Sequence, residues 1–555
     1  MRINDNSEID WTENIDSTSI VRNPLGLWSH LNIQVDYVPG ITTGTNRIRY
    51  YSLLAWYYEN LYDSRILDYK EFERLFILTC LSHHEGDHTH PALRHVFNKQ
   101  RFKDDWDSRR SFKLDFLISG FANTYYNRQL SILRCLWTDQ FNRVQKSQIN
   151  HDLAKFLPIV DIDFFKQKHF TRDDILENFS DFCICNKYDA ETDVMTKLLF
   201  GFIKNEGNKW FIDDESYRKF IQEGAIDFIF KDLELDTEEI LFSNAPHYIE
   251  MNQRRRNTLF LFLKIILETE PQDNEYRRAI WDAIYFKQNT YTKEKIDFKG
   301  LDNILKYWEL LQLNVYYVYS LEMILDVIQK IVYDETGIMK NKIISSLNTD
   351  YIRSEISELC NIEVNYATDL NELMKSLYSI SSANDGLKSS INESIIFDNI
   401  SETEYLEVIL ANAVIMLFLL KRRFESIDKQ IINGSRIEKN IYIKEKLRID
   451  SLFDYIDQNK NKDVFFFLNY LIQSIIERHL YEANVRMAWG TRNWLFVEEN
   501  SRLFFSRKDK IRIDARDNRW YSILNLMQDI DLIDITDNII LTDKGKEWLK
   551  QAKLI

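Results

Sequence analysis

The sequence predicts a mainly α protein divided into several structural units, and three observations carry that expectation. At 555 residues the chain exceeds what a single hydrophobic core serves. Its 14 Gly and 6 Pro are far too few for an all-β design with many tight turns. Long stretches of Leu, Ile, Lys, Glu and Asn place apolar residues at three- and four-residue steps, the helical period. Hydrophobic residues at 45% supply real cores, and aromatics at 14% should brace helix–helix contacts.

The net charge of −15 speaks to solubility and long-range field rather than fold, and argues against a surface coated with nucleic acid. A local basic patch remains compatible with it, because screening is short-ranged in physiological salt. The five cysteines form no CxxC pair, as expected of reduced thiols in a cytoplasmic protein. MRINDNSEIDW is polar and acidic and carries no signal-peptide pattern. The most apolar run, Tyr405–Leu420, spans 16 residues, against the roughly 20 a bilayer requires, and predicts a buried helix. No membrane association is expected.

Taken in order, residues 1–150 predict an N-terminal helical domain with helices at 47–62, 70–83 and 111–137. A central, mainly helical domain follows over 151–300. There HFTRDDILENF sets Thr171 as an N-cap with Asp174 three residues on, a capping-box variant. One helix should end near Glu270 and another start after Pro271. Residues 301–378 form a long helical segment whose first part, 301–335, reads as one buried helix or a pair. SISSANDGLKSSINES, 379–394, has the composition of a linker. A further helical domain covers 395–488. In the last unit, 489–555, WLFVEENSRLFFSRK alternates like a hairpin turning near Glu499-Asn500. A helix, a short strand, a turn, a second strand closing at Leu541 and a final helix complete it.

PGITTGTNRIRYY, from Pro39 to Tyr51, is the most unusual short stretch. A phosphate-binding P-loop needs GxxxxGK[ST], whereas Gly40 and Gly44 are four apart and no lysine follows. Thr42, Thr43 and Thr45 can cap a helix opening near Asn46, which sets Arg47 and Arg49 at a helix N-terminus. Cations are disfavoured there, and an anion would repair the mismatch. Thr45, Arg47 and Arg49 are therefore candidates for an anion site. The alternative is that Thr45 caps the helix while both arginines pair with acidic residues of their own domain.

HHEGDHTHPALRH, 83–95, holds five of the ten histidines. His83, His84, Asp87, His88 and His90 could ligate a divalent metal, with His84, Asp87, His88 and His90 at usable spacings. Gly86 and Pro91 mark a loop, so a polar surface loop is the competing reading. Cys183 and Cys185 lack a second thiol pair, which argues against a structural zinc there. Arg254–Arg256 reads as a solvated helix start. No nucleophile elbow, kinase set or other catalytic signature is present, and no cofactor besides a divalent metal is implied.

The strongest local constellation is a reversal of sign near the C-terminus. Arg502, Arg507, Lys508, Lys510, Arg512, Arg516 and Arg519 are interleaved with Phe504 and Phe505 and followed by Trp520. Such a patch would meet double-stranded DNA through phosphates, in a sequence-tolerant and salt-sensitive way. It could equally dock on an acidic patch of its own chain or of a partner.

Two resemblances complete the picture. The final helix–strand–strand–helix order, with Thr542 opening the last segment, resembles a winged-helix domain. NPLG at 23–26, PGIT-x-x-T-x-R-x-RYY at 39–51, LSHH, ERHLYEANVRM and that tail together resemble bacterial proteins encoded in defence islands. The resemblance implies a cytoplasmic antiphage component working beside an ATPase or nuclease subunit, and it carries over no catalytic residue; with the basic patch, it makes a DNA-associated sensor or assembly component the leading expectation. Two other classes stand against it: a metal-dependent hydrolase or nuclease using the His83–His95 cluster, and a purely protein-binding scaffold.

Overall fold

The computed structural model describes residues 24–27, 37–41, 47–87, 106, 111–113, 129–138, 143–167, 169–186, 188–206, 209–224, 246–272, 275–381, 386–428, 432, 446–488, 494–506 and 520–555. Among these, helix dominates and strands are short. No described helix is long and apolar enough to cross a membrane. The chain divides into two compact units. One comprises Met1–Ile33, Trp281–Asp297 and Leu305–Arg516, the other Gln34–Ile280, Phe298–Ile304 and Asp517–Ile555.

The second unit carries the PGITTGTNRIRYY and histidine segments. Its helices include Arg49–Asn60, Tyr69–His83 and Gln148–Ala154. Tyr69–His83 starts where Asp68 accepts from the backbone of Lys70 and Glu71, and Glu71 returns a bond to Asp68 in a full capping box. Thr171 and Asp174 form the second capping box, as their spacing predicts. The helix expected over 111–137 is not continuous. Ser111–Lys113 pairs antiparallel with His169–Thr171, residues 129–132 are helical, and Leu136–Thr138 pairs with Val144–Lys146. Strand pairing, to a distant segment at one end and to a neighbouring one at the other, overrides the local helical pattern there.

Arg254, Arg255 and Arg256 are also not a solvated helix start. They lie inside the helix Pro246–Thr269 and are 3%, 0% and 1% exposed. Arg255 donates to the carbonyls of Leu199 (2.5 Å), Leu198 (2.9 Å) and Pro39 (2.8 Å), and Arg256 donates to Phe200 (2.5 Å) and Gly201 (3.2 Å). The two guanidinium groups thus serve the carbonyl end of the helix Asp189–Leu199, where the macrodipole favours cations. Burial pulls Arg255 down to about 10 and Arg256 to about 9, and both stay charged at neutral pH.

The C-terminal elements follow the expected order: helix Trp520–Asp529, strands Ile533–Ile535 and Ile539–Leu541, and helix Asp543–Gln551. Ile533 faces Leu541 across an antiparallel pair. Thr542 caps the last helix through Gly545 N, and a side chain at Gly545 would meet Leu532 O at 2.1 Å. Trp548 fastens this helix, its ring 4.3 Å from that of Phe200 and 5.2 Å from that of Phe220. The outer strand's edge is engaged too, Ile539 N donating to Pro271 O at 2.7 Å.

Asp302–Asp334 is one unbroken helix of 33 residues, counted with the first unit from Leu305 onward. Leu406–Ser426 is buried without interruption from Ile409 to Lys421, as its apolar sequence predicts. The hairpin Phe496–Glu499 with Arg502–Phe505 turns at Asn500 and Ser501, both at positive φ (50° and 64°). Ile338–Met339 adds a third strand. The 379–394 stretch, expected as a linker, is packed where it is described. Gln288 accepts from Leu387 N at 2.7 Å, Ser394 donates to Asp282 at 2.8 Å, and Asn392 caps the helix Glu393–Glu402. Its small polar side chains are used for buried hydrogen bonds, which composition alone reads as solvation.

Two distant motif segments also meet in this unit. Arg478 Nε donates to Leu25 O at 2.7 Å, and His479 Nδ1 donates to Pro24 O at 3.1 Å. His479 Nε2 accepts from Leu495 N at 3.1 Å, which fixes the neutral Nδ1–H tautomer. At Gly26, φ is +65° and a Cβ would fall 2.4 Å from Glu482 Oε2. Pro24–Gly26 are thus clamped to ERHLYEANVRM.

Candidate metal centre

The second unit gathers four metal-competent side chains, His83, His84, Cys183 and Cys185, whose ligand atoms all lie within 4.8 Å of one another. Neighbouring residues in a helix point about 100° apart, so two adjacent histidines converge only where a helix ends. Here Tyr69–His83 stops in a Schellman motif. Gly86 N donates to Leu81 O (2.8 Å) and Glu85 N to Ser82 O (3.1 Å), with Glu85 left-handed at φ 52°. His84, as the C-cap, leaves helical geometry, and the two imidazole centroids come to 5.0 Å. Gly86 is required twice over: its φ is +75°, and a Cβ would sit 2.1 Å from the Trp106 ring.

The cysteines come from the turn after the helix Arg172–Phe179 and the 3-10 segment Ser180–Phe182. Asn186 N closes that turn on Cys183 O at 3.1 Å, and Asn186 Nδ2 donates to Ser180 O at 2.9 Å. An aromatic cluster locks the turn against the helices. Phe179 stacks on Phe182 at 4.1 Å, Trp56 meets Phe182 edge-on at 4.9 Å, and Phe72 stacks on Trp56 at 5.7 Å. The histidine helix, the motif helix and the cysteine turn therefore share one core.

Cys183 Sγ is 3.4 Å from His84 Nε2, Cys185 Sγ is 3.3 Å from His83 Nδ1, and the two sulfurs are 3.4 Å apart. A tetrahedral zinc with ordinary bond lengths has S···N edges of about 3.6 Å and an S···S edge of about 3.8 Å. These three separations stand within a few tenths of an ångström of those edges, and the whole set lies within 4.8 Å. Two sulfurs and two imidazole nitrogens are the donor set of a structural zinc site, with Cys183 fully buried.

Without a cation the thiols are held neutral. Cys183 lies above its usual range: the hydrogen bond from Cys185 lowers it, but the bond with Cys80 and burial outweigh that. Cys185 is raised first by its hydrogen bond to Cys183 and then by burial. A bound dication reverses this order and releases the protons.

Of the metal candidates named from sequence, His83 and His84 belong to this cluster. Asp87 lies on the same turn, its N–H donating to His84 O at 2.8 Å, but outside the four-donor set. His88 and His90 fall outside the described residues. The missing pair for Cys183 and Cys185 is a pair of histidines about a hundred residues upstream, a partnership that thiol spacing could not reveal.

The anion candidates meet carboxylates of their own unit. Arg47 Nε contacts both oxygens of Asp529 at 3.0 Å, and Asp529 also accepts from Ile48 N at 2.9 Å. A carboxylate thus stands at the start of the helix Arg49–Asn60. Arg49 pairs with Glu191 at 3.0 Å, with both side chains almost wholly buried. Thr45 lies outside the described residues. The preceding loop is held by Tyr51 Oη donating to Gly40 O at 2.7 Å, beside the Arg255 bond to Pro39.

Of the basic patch, Arg502 is exposed on the hairpin and donates to Gly337 O at 2.9 Å. Arg507, Lys508, Lys510, Arg512, Arg516 and Arg519 lie outside the described residues. No protein-family model, curated protein or solved structure matches this chain.

Proposed function

We propose that this protein is a non-catalytic assembly component in which a structural zinc ion staples one helical unit. His83 Nδ1, His84 Nε2, Cys183 Sγ and Cys185 Sγ are its ligands. The convergence of those four donors within 4.8 Å carries the reading. Four protein ligands complete a tetrahedron and leave no position for an activated water, the pattern of structural rather than hydrolytic sites. This supports a scaffold over a metal-dependent hydrolase or nuclease. The test is elemental analysis of the purified protein with Cys183→Ser/Cys185→Ser as comparison. One zinc per chain, lost in the double variant, supports the reading; a metal-free wild type that also fails to take up zinc or cobalt refutes it.

The zinc-stapled scaffold also suits a DNA-associated role in the antiphage setting that the sequence resemblance implies, beside an ATPase or nuclease subunit. What favours it is the helix–two-strand–helix order at the C-terminus, read as a winged helix, with basic residues 502–519 preceding it. Titration on duplex DNA at two salt concentrations tests this. Binding should weaken steeply with salt, and binding absent at low salt ends the DNA reading.

A further inference from the structure

We infer that Arg49 is the positioning residue of this metal centre, holding the Cys183–Asn186 turn in the conformation that presents both sulfurs. The inference rests on the zinc reading and assigns PGITTGTNRIRYY a task. Arg49 opens the helix Arg49–Asn60, is 2% exposed, and sits where a cation does nothing for its own helix. Its Nη2 donates to the carbonyl of Asn186, the residue after Cys185, and meets Glu191 Oε2 at 3.0 Å. Its guanidinium carbon is 4.9 Å from the Tyr188 ring centroid. One planar group thus grips the chain at 186, 188 and 191, just after the cysteine turn.

Buried ion pairs seldom add net stability over apolar substitutes, whereas a donor that holds a backbone carbonyl in place fixes geometry. The Asn186 amide closes the turn on Cys183 O, so a displaced Asn186 carries Cys185 with it. The Arg49 grip stands toward the sulfurs as outer-shell partners stand toward metal ligands generally, whose loss lowers affinity about 10–100-fold.

The experiment is a zinc-competition titration of the full-length protein loaded with cobalt. It reads affinity together with the tetrahedral d–d and thiolate-to-cobalt absorption. Arg49→Gln should weaken binding by about 10-fold or more and alter the thiolate band, with metal-free helicity unchanged. Arg49→Lys keeps the charge but not the planar guanidinium that lies by Tyr188, and its affinity should fall between those of the wild type and Arg49→Gln; it serves as the test variant if Arg49→Gln does not fold. Arg47→Gln, which breaks the Asp529 contact on the same helix start, should leave affinity unchanged. Equal losses in the Arg47 and Arg49 variants, or an Arg49 variant of wild-type affinity, overturn the inference. A wild type that binds neither ion refutes the zinc reading itself, a result distinct from both.

Discussion

Removing the metal should loosen the second unit by an amount that the separation of its ligands sets. The cross-link joins His84 to Cys183, 99 positions apart. Treated as a closed loop of that length, it removes about 4.7 kcal/mol of chain entropy from the unfolded state. For a unit of roughly 300 residues, melting entropy near 2.1 cal/mol/K per residue turns this into a Tm shift of about 7 °C. That figure is an upper value, because unfolded cysteines and histidines retain some metal. The assay is differential scanning calorimetry of zinc-loaded and chelated protein, with Cys183→Ser/Cys185→Ser as the genetic counterpart. The transition assigned to this unit should fall in both, and re-added zinc should restore only the wild type. A chelated protein melting within ~1 °C of the loaded one would refute the staple.

Other outcomes follow from contacts already described. His479→Phe leaves Pro24 O and Leu495 N unpaired in the interior. It should destabilise the first unit by about 2–4 kcal/mol, seen as a lower urea midpoint and lost amide protection at residues 24–27. Asp529→Ala removes the carboxylate that receives Arg47 and Ile48 N; about 1–3 kcal/mol should be lost, with exchange rising at the start of Arg49–Asn60. Cys360 is pushed up to about 12 by burial, so the folded state favours the neutral thiol. That contribution is complete below the ordinary value near 9 and is lost as pH climbs towards 12; Cys360→Ala should flatten the fall of the urea midpoint across that window. Gly86→Ala should weaken zinc binding and stability together, because a Cβ there strikes Trp106 and φ is +75°.

Much of the architecture was legible because it is local. The helical period over 301–335 and 464–488, the Thr171–Asp174 capping box and the Asn500 turn each depend on residues within a few positions of one another. What escaped is non-local. Ser111–Lys113 became a strand because His169–Thr171 lies beside it, and 386–394 became packed because Gln288 and Asp282 bind it. The metal cluster split in the same way. His84 was identifiable as a candidate ligand by residue type, but the donors that gather round it are set by a helix end and a turn about a hundred residues away. Arg254–Arg256 looked solvated because a sequence cannot show the carbonyls of Leu198–Gly201 that arginine was placed to meet.

The carboxylate at the start of Arg49–Asn60 belongs to residue 529. On a translating ribosome, that helix start is therefore exported long before its cap has been synthesised. Segments that need only nearby neighbours can settle during elongation, whereas this one waits for nearly the whole polypeptide. A nascent chain arrested short of Asp529 should present the Arg47–Arg49 region to chaperones and proteases, which makes completion of the second unit a late, almost post-translational event.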